Sequence, residues 1–192
     1  MSRLSSDDCR ALLDLARRAI LNAVVEKRIL DFSAYVISPT EPAGAFVTLH
    51  QDSRLRGCVG QVESPDPLVE TIARAAINAA LHDPRFPAVG AGDVESLEIE
   101  ISVLSPPAPI APDAILLGHH GLLIVKGENQ GLLLPQVATE RRWSSQRFLE
   151  ETCAKAGLPR DAWREPSTRV LAFAAEVFSD ASVRVGHSVG IE

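Results

Sequence analysis

The octapeptide Leu97-Glu98-Ile99-Glu100-Ile101-Ser102-Val103-Leu104 alternates apolar and polar side chains almost without fault. Side chains of a strand point to opposite faces in turn, so a period of two predicts a half-buried antiparallel strand, one face in a core and the other wet. Gly44-Ala45-Phe46-Val47-Thr48-Leu49 reads as a second strand and Leu55-Arg56-Gly57-Cys58-Val59-Gly60 as a third. The polar His50–Arg54 between them has the length of a hairpin loop. If Leu49 faces Leu55, Thr48 lies opposite Arg56 and Phe46 opposite Cys58. A one-residue slip would scramble those pairs.

Helical spacing surrounds these strands. Leu12, Leu15, Ala16, Ala19 and Ile20 recur every three or four residues between Asp7 and Arg28, with Ser5 or Ser6 in reach as a cap. Ser38-Pro39-Thr40-Glu41-Pro42 breaks the chain before the first strand. A second helix is predicted over Pro67–Leu81, with an alanine-rich stripe that permits close packing on a sheet, and His82-Asp83-Pro84-Arg85-Phe86-Pro87 ends it. Four prolines between Ser105 and Pro112 give a semi-rigid crossing. Leu122–Lys126 and Leu132–Leu134 flank Gly127–Gly131 as a second hairpin, and Ser144 or Ser145 opens a helix that Gly157 and Pro159 stop. A last strand covers Thr168–Phe178. Hairpins interspersed with helices give an α+β class, a mainly antiparallel sheet flanked by helices, with room for a small second lobe. Residues 7–178 form one domain in this reading, and 179–192 a tail of undecided structure.

Several functions are disfavoured. The net charge is −6 and the basic residues are scattered rather than striped, which argues against nucleic acid as a partner. No apolar run is long enough for a membrane span, and Met1–Asp8 lacks the apolar core of a signal peptide, so a cytoplasmic location without membrane attachment is expected. Cys9, Cys58 and Cys153 are far apart and form no C-x-x-C, and His119 and His120 are adjacent, so no metal site is predicted. No cofactor is identified either.

The sharpest chemistry lies in Leu55–Gly60. Arg56 and Cys58 alternate onto one face, and a cation beside a thiol stabilises thiolate. Two glycines within four residues weaken a strand and mark close approach by a ligand or another backbone. Cys58 is therefore the candidate nucleophile, against the alternative that it packs as a small core hydrophobe. Arg56 and Arg85 are candidates for binding negative charge; Arg85 could equally tie its loop to Glu98 or Glu100. Glu100 is a candidate acid or base, and Thr48, in the neighbouring strand, a ligand-binding hydroxyl. His50, taken as a loop residue, and His82 are the nearest histidines to serve as a base.

Several ordered segments resemble the AMMECR domain family, whose prokaryotic members are called AmmeMemoRadiSam system protein A. They are Gly44-x-Phe46-Val47-Thr48-Leu49, Leu55-Arg56-Gly57-Cys58-Val59-Gly60, Asp83-Pro84-Arg85-Phe86, Leu97–Pro106, Leu134-Pro135-Gln136-Val137 and Lys155-Ala156-Gly157-Leu158. The resemblance implies an α+β fold of a larger and a smaller lobe, with a cleft near the cysteine motif. It implies association with a Memo-like protein and a radical SAM protein, and it adds Gln136 to the ligand-binding candidates. Together these readings predict a cleft enzyme that uses Cys58 on a small, anionic substrate. The alternative is a non-catalytic accessory protein that binds a ligand or a partner.

Overall fold

Ser5 sets the first helix. The computed structural model describes residues 4–28, 31, 35 and 42–185, and in it α1 runs Ser6–Leu21. The Ser5 hydroxyl accepts from Asp8 N–H while the Asp8 carboxylate accepts from Ser5 N–H, a reciprocal box that satisfies two otherwise orphaned donors. Leu12, Leu15, Ala16, Ala19 and Ile20 line its buried face, as their spacing predicts. Most of the proline-rich break, residues 38–41, lies outside the described residues.

The chain divides into two compact units, one running to Leu104 and resuming at Glu176, the other covering Ser105–Ala175. In the first, β1 (Ala45–Gln51), β2 (Arg54–Gln61) and β3 (Glu98–Leu104) are antiparallel, with β1 in the middle and β2 at the edge. The inward face of these strands carries Val47, Leu49, Ile99 and Ile101, which share a core with α1 and with α2 (Leu68–Leu81). The close fit of α2 on β2 requires a glycine. A Cβ on Gly57 would lie 2.1 Å from the Ala79 carbonyl oxygen of α2. Gly60 is filled the same way, by Phe46 and the Ala45 carbonyl of β1. Both glycines are thus explained by neighbouring backbone rather than by a ligand.

The hairpin register differs from the sequence expectation. Thr48 pairs with Cys58 and Phe46 with Gly60, while His50 pairs with Leu55. The loop is a two-residue turn, Asp52-Ser53, with both φ angles positive at 50° and 60°, so each strand extends further than the polar run suggests. Arg56 is then the extra residue of a bulge between the Leu49–Gly57 and His50–Leu55 pairs. His50 is a strand residue, not a loop one.

In the second unit, β5 (His120–Lys126) and β6 (Asn129–Leu133) form the other hairpin, again with a tighter turn than expected, Gly127-Glu128. The long β7 (Arg169–Ser179) pairs through its first half with β5 and with the two-residue β4 (Ala108–Pro109), and its last residues belong to the first unit. A short helix that periodicity did not reveal, α3 (Pro135–Glu140), precedes α4 (Ser145–Lys155). Ser144 caps α4, and Gly157 at φ 72° closes it: Gly157 N–H reaches the Ala154 carbonyl and Leu158 N–H the Cys153 carbonyl. The start of the tail is ordered, as Ser179 ends β7 and α5 spans Asp180–Val185. Residues 186–192 lie outside the described set.

Candidate functional site

The outward face of β2, β1 and β3 carries the candidate chemistry, because the observed register aligns it. Thr48 is opposite Cys58 on one side and opposite Glu100 on the other. Cys58, Thr48 and Glu100 therefore form one row across three strands. The Thr48 hydroxyl donates to Cys58 Sγ at 3.3 Å. With strands about 4.8 Å apart, the thiol and the carboxylate stand roughly 10 Å from each other at their backbones, with Thr48 between them. Cys58 is partly exposed, whereas Cys9 and Cys153 are buried. Burial pushes the Cys153 thiol up, which keeps it protonated.

Next to this row, His50 pairs with Glu98. A cleft of about 250 Å³ opens here, lined by His50, Ser53, Glu98, Glu100, Ser179 and Ala181. The carboxylate of Asp180 holds its α5 wall in place by accepting from Ile99 N–H at 2.9 Å and from Arg17 at 2.6 Å. Arg17 also donates to the carbonyls of Val94 and Leu97.

The edge of β2 is held by the loop that follows α2. Asp83, 5% exposed, accepts from Cys58 N–H at 2.9 Å and from the backbone N–H of Arg85 at 3.1 Å. It also takes Arg85 Nε at 2.9 Å and Nη2 at 2.7 Å. Arg85 Nη2 further donates to the Cys58 carbonyl at 3.1 Å. The Arg85 guanidinium, helped by Cys58 N–H, holds the Asp83 carboxyl well below the usual carboxylate range against the opposing push of burial. The Asp83 hydrogen bonds correspondingly raise Arg85. Arg56, projecting from the bulge, donates to the Pro87 carbonyl at 2.6 Å.

Among the sequence candidates, then, Cys58, Thr48 and Glu100 come together, while Arg56 and Arg85 lie against the edge loop. His82 caps α2 through its backbone N–H on the Asn78 carbonyl. Gln136 belongs to the second unit, in the first turn of α3. His120 accepts the Leu116 N–H at its Nδ1. Among the described residues no three His, Cys, Asp or Glu side chains form a metal-binding group, and no helix is long and apolar enough to cross a membrane. Asp83 is the residue that sequence reasoning passed over. Its signal was an acid two positions before an arginine in a loop stiffened by Pro84 and Pro87.

Comparison with known proteins agrees with this architecture. The AMMECR1 family model matches residues 13–178. A protein of Methanothermobacter thermautotrophicus is 42% identical over 187 residues, covering 92% of this chain and 96% of its own. One from Thermococcus kodakarensis is also 42% identical, with 94% of each chain covered. The crystal structure of the uncharacterized protein PH0010 from Pyrococcus horikoshii superposes with a TM-score of 0.87 at 39% identity, covering 94% of this chain and 95% of that one.

Proposed function

The chain belongs to the AMMECR1 family, and from that premise we propose that it is a cleft enzyme whose Cys58 thiol attacks a small substrate lying over Thr48. The observation that carries this reading is the row Cys58–Thr48–Glu100, a thiol, a hydroxyl and a carboxylate on one sheet face. Sulfur attack on an electrophilic carbon forms the S–C bond as the bond from that carbon to its leaving group breaks, and the thiol proton passes through the Thr48 hydroxyl to Glu100. Glu100 then returns it to the leaving group.

An anionic substrate was expected from Arg56 and Arg85. Both guanidiniums hydrogen-bond the edge loop, and the adjoining cleft presents Glu98 and Glu100, so a neutral or cationic substrate suits the geometry better. Family resemblance alone supports two further assignments: a ligand contact for Gln136, and a place beside Memo-like and radical SAM proteins.

One observation favours the non-catalytic, accessory reading: the thiol already takes the Thr48 hydroxyl, as a structural cysteine would. Incubation with a small-molecule fraction of cell extract, followed by peptide mass analysis, separates the two. The enzyme reading expects an adduct on Cys58 that forms in the wild type and is lost or much reduced in Glu100→Gln. No adduct on Cys58 in either protein would overturn it.

A further inference from the structure

Among the described residues β2 is an edge strand, and such strands leave a row of backbone N–H and C=O groups without a ladder partner. At Cys58 both outward groups are nevertheless satisfied, the N–H by Asp83 Oδ2 and the C=O by Arg85 Nη2. We infer that Asp83 and Arg85 are positioning residues for Cys58: they stand in for the missing neighbour strand and thereby fix where the thiol points. The functional meaning of this inference rests on the proposed use of Cys58, although the clamp itself can be tested without it.

The chemistry fits that role closely. A carboxylate bonded to a guanidinium offers an acceptor and a donor side by side, as the C=O and N–H of a paired strand do. Hydrogen bonds to ionised groups are also stronger than neutral ones. Asp83 is buried, so its acceptor is shielded from water, and its remaining capacity is filled by Arg85 Nε and the Arg85 backbone N–H. The loop has a fixed reference, since it leaves the end of α2, and α2 lies on β2 across Gly57 and Ala79. Arg56 fastens the far side of the same loop at Pro87. The loop thus meets β2 on either side of Gly57, at the bulge and at the cysteine. A loop that needed only to be tied down would not require both backbone groups of one particular residue.

Two readouts on the full chain test this, amide hydrogen exchange at Cys58 and the rate of iodoacetamide modification of Cys58 in the folded protein. Asp83→Asn places an amide NH2 against Arg85, and Arg85→Lys keeps the charge but loses the fork that spans Asp83 and the Cys58 carbonyl. In Asp83→Asn, exchange at the Cys58 amide should rise at least about tenfold relative to Ile101 in β3, and modification should speed up several-fold. Arg85→Lys should fall between this variant and wild type. If Asp83→Asn does not fold, Arg85→Lys carries the comparison, because its side chain is half exposed. An equal rise at Cys58 and Ile101 would mean general destabilisation and would overturn the inference, as would an unchanged modification rate. Should wild-type Cys58 resist iodoacetamide while folded, the proposed reaction fails; the exchange ratio still decides the clamp.

Discussion

Replacing Gly57 with alanine should be among the most damaging single-methyl additions in this protein. The new Cβ would sit 2.1 Å from the Ala79 carbonyl oxygen, a backbone atom inside a helix. An ordinary carbon–oxygen contact is about 3.3 Å, so α2 or β2 must move by roughly 1.2 Å. No flexible side chain absorbs that shift. Ala79 is 1% exposed, in the core that α2 shares with α1 and the strands. Overpacking typically costs about 1–3 kcal/mol, and the rigid neighbour places this case near the upper value. The φ of Gly57 is not in the left-handed region, so the cost comes from the contact and not from backbone conformation. For a chain of this length, about 3 kcal/mol corresponds to a Tm drop of roughly 6–12 °C. Gly92, with nothing within 4 Å of its would-be Cβ, is the control, and Gly92→Ala should leave Tm nearly unchanged. Thermal unfolding followed by circular dichroism checks both. A Gly57→Ala protein as stable as wild type would refute the packing argument and restore the view that a ligand approaches this glycine.

Further outcomes follow from the same contacts. Because the Asp83 carboxyl is depressed in the folded protein, its stabilising contribution is complete above the unfolded carboxylate pKa of about 3.9 and is lost as the pH falls below that value. The gap in urea midpoint between wild type and Asp83→Asn should therefore be larger at pH 7 than at pH 3; a constant gap would contradict the ion pair. Asp180→Ala removes the acceptor for Ile99 N–H and for Arg17. It should cost about 1–3 kcal/mol in denaturant unfolding, with faster hydrogen exchange at Ile99.

The parts of the fold that repeat were legible, and the parts that depend on one or two special residues were not. Leu97–Leu104 announced β3 by its alternation, and α1, α2 and α4 showed their spacing, caps or stop residues. The Asp52-Ser53 turn carries no glycine, so nothing in its composition signalled two positive φ angles. With the turn misjudged, the bulge at Arg56 was invisible and the register slipped, which hid the pairing of Thr48 with Cys58. Cys58, Thr48 and Glu100 were each named as candidates from residue type, but only the register makes a row of them. Asp83 escaped because its distant partner, the backbone N–H of Cys58 25 residues away, leaves no trace in side-chain pattern. The helix α3 is six residues long, too short for periodicity to show.

The proposed chemistry requires Cys58 to be a presented thiol. Iodoacetamide treatment of the folded protein, with each cysteine scored by peptide mass, measures this directly, and buried Cys9 and Cys153 serve as internal references. A presented thiol is modified at Cys58 under native conditions, faster than either reference and at a rate altered by Thr48→Val. Modification of all three cysteines together, and only upon unfolding, would show Cys58 to be a structural residue and would contradict the proposed chemistry.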